Sequence, residues 1–317
     1  MLVAVLAGGT LRGAAPAAAQ PMVRTPIADY RAIAVAPAES LATTTLRVRD
    51  HTDRRLPTVL FLPGPIGSAF SMRHLSAALA TEGVSSIVID LLGMGESTRP
   101  IGSDYSLTRQ AVRVQAVLDS LRVERVLIVA LGTSASAAFR FAAAYPARVS
   151  GIVSMAGGPV DQQATRGVGF ALTFAPLLKT DAGRALGRRK FVHSVREQSA
   201  NSAWCTDAVT RAYLAPFDRD LTSAMRALRA MRDAREPLAI REVLRGVQAP
   251  LWLLVGDKRS SNAPTDDQLR LLRGAVRHVR VDTIPNAGTM LHEEQPAAVV
   301  HAILSMLAST HPRAAIP

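Results

Sequence analysis

The 317-residue chain predicts an α/β protein with a mostly parallel central sheet, helices on both faces and an inserted helical cap. Short Val-, Ile- and Leu-rich runs recur along the sequence with helical stretches between them, the alternation of a sheet covered on both sides. Between Gly157 and about Arg245 the strand-like runs stop, and helical periodicity broken by Pro176, Pro216 and Pro237 takes over. Length agrees, since a chain of this size can bury one large core and carry an insertion.

In chain order, residues 1–40 are Ala- and Pro-rich and read as a leader or linker. Ala17-Ala18-Ala19 before Gln20 fits a small-residue signal-peptidase site, but a basic segment ahead of the apolar run is missing. Export to the periplasm or exterior and a cytoplasmic location both stay open. Residues 41–157 and 246–317 form the predicted core, and 158–245 the helical cap. The predicted strands are Thr45-Leu-Arg-Val-Arg49, Thr58–Leu62, Ser86–Asp90, Val126–Val129, Gly151–Ser154, Leu251–Val255 and His278–Val281. Within the cap, Arg226, Arg229, Arg232 and Arg235 recur at three-residue spacing around Met225, Leu228 and Met231, which describes a solvated basic helix face or a basic rim.

Composition narrows the function classes. The formal net charge is +12, almost all of it from Arg, since Lys179, Lys190 and Lys258 are the only lysines. That charge favours anionic ligands or surfaces. Aromatic residues are only 4% and are not interleaved with basic ones, which argues against nucleic acid. No run of 18 apolar residues occurs, so stable membrane insertion is not expected. Cys205 is the single cysteine, so no intrachain disulfide forms. The seven histidines are scattered, and no phosphate-cradling Gly-Lys-Ser/Thr motif occurs. Neither a metal nor a cofactor is expected.

Five motifs then fall in one order. Leu60-Phe-Leu-Pro-Gly64-Pro-Ile-Gly67 runs out of the strand Thr58–Leu62, and Asp90-Leu-Leu-Gly93-Met-Gly95-Glu-Ser97 runs out of the strand Ser86–Asp90. Val126-Leu-Ile-Val-Ala-Leu-Gly-Thr-Ser-Ala-Ser136 leads into a helix ending at Tyr145-Pro146. Val255-Gly-Asp257-Lys ends a late strand, and Gly288-Thr-Met-Leu-His292 lies before the last helix. Together they resemble the α/β-hydrolase superfamily over roughly residues 45–310, in which a Gly-x-Ser-x-Gly elbow lifts a nucleophile above the sheet.

The resemblance implies roles for particular positions. Aligned without a gap to Tyr145-Pro146, the elbow puts Gly132 where the nucleophile belongs and Ser134 two residues beyond. Counting Ser134 as nucleophile shortens the next helix by two residues, a rotation of about 200° and a loss of about 3 Å. The same alignment puts Arg259 at the acid position and Thr289 at the histidine position. Pro63 replaces the histidine of the first loop, and Pro65, after Gly64, has no N–H for an oxyanion. Gly132 cannot attack a carbonyl, Thr289 is no base near neutral pH, and Arg259 has the wrong charge to orient an imidazolium. Gly64, Pro65 and Thr133 are then expected to line a pocket. The expectation is a hydrolase-like protein that binds a small molecule, anionic or ester-like, with little or no acyl transfer. One alternative is an active serine esterase using Ser134 with His292 and Asp257, or with Asp161 as the acid. Another is a protein-interaction module acting through the basic cap.

Overall fold

The computed structural model describes residues 31–46, 58–163, 169, 172–173, 178, 180–258, 260 and 263–310. The signal-like segment and Arg259 lie outside the described residues. Eight strands form one sheet in the order β1-β2-β4-β3-β5-β6-β7-β8. These are β1 (Arg31–Ala36), β2 (Glu39–Leu46), β3 (Thr58–Leu62), β4 (Ser86–Ile89), β5 (Val126–Leu131), β6 (Val149–Met155), β7 (Leu251–Gly256) and β8 (Val279–Ile284). The first two strands pair antiparallel and β2 runs antiparallel to β4, while every pairing from β4 to β8 is parallel.

Adjacent residues of the central strands serve opposite faces, as the period of two requires. Leu60, Leu62, Ile128 and Ala130 join one apolar cluster. Val59, Phe61, Leu127 and Val129 join the other. Helices α2 (Leu107–Ser120) and α3 (Ser134–Ala144) cover the first face, and α1 (Arg73–Thr81) and α10 (Pro296–Thr310) cover the second. This two-sided burial explains why β5 reads as an unbroken apolar run.

Two boundaries differ from the sequence reading. Residues 31–40 are not all linker, because β1 and the start of β2 form a hairpin whose Ile33 and Leu41 are buried. Ala is a poor strand former, and Pro37 at the turn masks the alternation. The strand expected at residues 45–49 instead begins at Glu39, and its last three residues are not described. Between β6 and β7 lie α4 (Asp181–Gln198), α5 (Asp207–Arg219), α6 (Leu221–Asp233) and the short α7 (Ile240–Arg245). Helix α7 packs on α3 and on α8 (Asp266–Ala275) beside the sheet.

On α6, Ala224, Ala227, Leu228 and Met231 are buried while Arg226 and Arg229 face solvent. Arg232 is only partly exposed and pairs with Asp233 at 2.7 Å. The buried face of α6 rests on the turn after β4, where a Cβ at Gly93 would strike Met231 and Tyr105. In the same turn Asp90 accepts the Glu96 N–H at 2.9 Å, and a Cβ at Gly95 would overlap its carboxylate. Burial pushes the Asp90 carboxyl well above the usual carboxylate range. Both glycines also have positive φ, +88° and +47°.

Candidate functional site

The turn from β5 into α3 sets the site. Gly132 follows the strand directly with φ +57°, and its N–H donates to the Met155 carbonyl at 3.0 Å. A Cβ built on Gly132 would meet no heavy atom within 4 Å. Thr133 precedes the helix and Ser134 is its first residue. Ser134 is fully buried, and its hydroxyl donates to the Pro63 carbonyl at 2.6 Å. Close passage of the next strand end is possible because Gly157 has no side chain; a Cβ there would overlap the Gly132 carbonyl.

Gly132 borders a cavity of about 620 Å³, within the usual range for small-molecule sites. Gly64, Pro65, Thr133 and Thr289 line it from the core. Tyr213, Phe217, Met225 and Leu228 close it from the opposite side. Thr133 Oγ1 is buried without a hydrogen-bond partner. Thr289 is buried, its Oγ1 donating to Gln198 Oε1 at 3.3 Å and its N–H to the Gln198 carbonyl at 3.1 Å. A Cβ at the preceding Gly288 would overlap that same carbonyl. The end of α4 is therefore pressed onto the loop after β8.

The structure does not bring Ser134, His292 and Asp257 together by hydrogen bonds. His292, in α9 (Leu291–Glu294), is fully buried. Its Nε2 lies 2.9 Å from the Tyr213 hydroxyl, and its Nδ1 has no partner. Burial, reinforced by Arg73 and His74 and opposed by Glu293, lowers the His292 pKa to about 4. The Tyr213 hydroxyl also donates to Glu293 Oε1 at 2.6 Å. Arg73 grips both Glu293 oxygens at 2.6 and 2.7 Å and lies over the Phe70 ring. Asp257 has a different task. It accepts the N–H groups of Asn286 and Ala287 at 2.9 and 3.1 Å, which hold its carboxyl below the usual range.

Asp161 is likewise engaged, at a node that motif reading missed. Arg140, in α3 and almost fully buried, pairs with Glu236 at 2.8 Å and with Asp161 at 2.9 Å. It also donates to the Leu238 carbonyl at 3.3 Å, and Asp161 caps the Ile240 N–H at 2.6 Å. One cation in the helix after the elbow thus joins the loop that follows β6 to the residues just before α7. The signal was an arginine inside the apolar run Ala-Ala-Phe139-Arg-Phe-Ala-Ala. Tyr213, one of four tyrosines, gave no comparable signal. Cys205 is buried, with its Sγ 3.7 Å from Thr210 Oγ1. Among the described residues no His, Cys, Asp or Glu cluster could hold a metal ion, and no helix is long and apolar enough to cross a membrane.

A parallel sheet, a strand–Gly–helix turn at its centre and a cavity under a helical segment define an α/β-hydrolase-type architecture. The sequence model of the Alpha/beta hydrolase family matches residues 59–302, and the chain belongs to that family. Among curated relatives it is similar to Epoxide hydrolase B of Mycobacterium tuberculosis, 33% identical over 104 residues, or 32% of this chain and 29% of that protein. The matched stretches span about a third of the curated relatives' length, 38% and 29% for two of them. Among solved structures it resembles wild-type Cfl2 from Burkholderia cenocepacia (TM-score 0.68, 23% identity, 88% of this chain and 95% of that one). It also resembles a meta-cleavage product hydrolase from Pseudomonas fluorescens IP01 (TM-score 0.68, 16% identity, 89% and 98%). At such identities the structural likeness speaks for the fold alone.

Proposed function

We propose that this chain keeps the ligand cavity of an α/β hydrolase, with residues 158–245 as its cap, and binds a small molecule there with little or no acyl transfer. The observation that carries this reading is the position of Gly132: it stands at the turn apex, borders the cavity and has no side chain. The nearby serine supports it, because the Ser134 hydroxyl is buried and committed to the Pro63 carbonyl. Thr289 borders the cavity where the family's histidine is expected, and a neutral hydroxyl there cannot serve as general base. Pro65 offers no N–H to an oxyanion.

The test is a fluorophosphonate probe together with short- and medium-chain p-nitrophenyl esters, applied to wild type and Ser134→Ala. The expected result is no labelling and no turnover above background for either protein. Labelling or hydrolysis by wild type that disappears in Ser134→Ala would establish the serine-esterase reading in its place.

A further inference from the structure

Helix α4 runs along the cavity and changes chemistry along its length. Arg184, Arg188, Phe191, Val195 and Gln198 all border the cavity. Their spacing of four, three, four and three residues places them on one helix face. Arg184 is exposed, Arg188 half-exposed and Val195 buried, so the face descends from solvent into the interior. Lys190, also at the cavity edge, is exposed and has no ion pair among the described residues. Among the described residues Asp218 is the one carboxylate on the cavity wall, and it lies 3.3 Å from Arg188. Beyond Phe191 and Val195 the wall is mainly apolar, with Leu131, Val160, Phe217 and Met225, and carries Tyr213 and Gln268 as polar neighbours. The cavity therefore has a cationic edge and an apolar body, with small hydroxyls at Thr133 and Thr289 by the turn.

From this gradient we infer that the ligand is an amphiphile with an anionic head group, its head at Arg188 and Lys190 and its apolar chain running inward along α4 toward Gly132. The inference rests on the binding reading above and names the chemical class that reading leaves open. Charge complementarity selects the head, since among the described residues the edge cations Arg184, Arg188 and Lys190 outnumber the carboxylates paired with them, Asp181 and Asp218. The apolar body selects the chain, because an inward-facing charge would lack a counter-ion there. The reverse orientation would place the anion beside Thr133 and leave hydrocarbon among exposed cations.

Calorimetric titration of the full chain with decanoate, decanol and decyltrimethylammonium tests this. Wild type is expected to bind decanoate about tenfold more tightly than decanol, and the ammonium more weakly than either. In an Arg188→Glu/Lys190→Glu double variant the decanoate preference is expected to vanish while decanol affinity stays the same. Equal binding of decanoate and decanol by wild type overturns the inference, as does binding of none of the three. A preference that survives charge reversal but is lost in Thr133→Val also overturns it, by placing the head at the turn. Ester turnover by wild type would defeat the proposed function yet leave these affinity ratios unchanged, so the two failures are distinguishable.

Discussion

The hydroxyl of Ser134 donates to the carbonyl oxygen of Pro63 across 2.6 Å, joining the first turn of α3 to the loop after β3. Both loops border the cavity through their neighbours, Thr133 and Gly64. The bond therefore fixes the spacing of the two loops. Ser134→Ala leaves a buried carbonyl unsatisfied, which costs about 1–3 kcal/mol. The expected outcome is a lower midpoint in urea unfolding with an unchanged slope. Ligand affinity is expected to fall only slightly, because the hydroxyl faces Pro63.

Gly132 invites the opposite experiment. The space beside it accepts a side chain, but its positive φ disfavours one by roughly 1–2 kcal/mol. Gly132→Ser is expected to fold, melt a few degrees lower and remain unlabelled by fluorophosphonate, since Thr289 cannot accept the hydroxyl proton. Gly132→Ser combined with Thr289→His supplies nucleophile and base together. That double variant is expected to be labelled measurably faster than either single variant in a time course with the same probe.

These outcomes bear on what a sequence discloses. The central strands β3 to β6 were legible because they are buried on both faces and so form apolar runs, as in Val126–Leu131. The hairpin of β1 and β2 was hidden by Ala- and Pro-rich composition, since its pairing depends on partners distant from the turn motifs, such as β4. At the site, the Gly132-Thr133-Ser134 register could be counted because strand, turn and helix are contiguous in the chain. The partners of His292 could not be counted. Tyr213 is 79 residues away and reaches it only after the segment between β6 and β7 folds back. The same holds for Arg140 and Glu236, 96 residues apart.

Arg140 and Glu236 form an ion pair with both side chains nearly fully buried. Removing Arg140 leaves Glu236 buried without its counter-ion, held among the described residues only by the Leu107 and Thr108 N–H groups and the Thr108 hydroxyl. Losing one partner of such a pair costs about 3–5 kcal/mol. Arg140→Met is expected to lose about that much in denaturant unfolding. The loss should be accompanied by faster proteolysis near residues 161 and 236, where the segment is anchored. Adding Glu236→Gln to Arg140→Met should recover part of the stability, because the uncompensated carboxylate is gone. A double variant whose loss equals the sum of the two single losses would show that the pair is not coupled.

His292 gives the protein an acid-sensitive stability. Its folded pKa is lowered from 6.5 to about 4, chiefly by burial. Below its ordinary pKa the unfolded chain takes up a proton that the folded chain refuses until about pH 4, so acid favours unfolding across that window. The stabilisation is complete above about pH 6.5 and is lost as the pH falls, by about 3 kcal/mol in total. His74, half-buried beside Arg73, has a pKa lowered in the same direction, first by burial and then by that cation, and adds to the trend. The groups facing the His292 ring, Tyr213 and the Glu293–Arg73 pair, remain in place in His292→Gln, which does not titrate. Urea unfolding of both proteins from pH 8 to pH 4 is expected to give a constant stability difference above about pH 6.5. Below it, the wild-type curve should fall more steeply than that of His292→Gln. Parallel curves over the whole range would mean that His292 is protonated as readily in the folded protein as in the unfolded chain, and that burial does not exclude its charge.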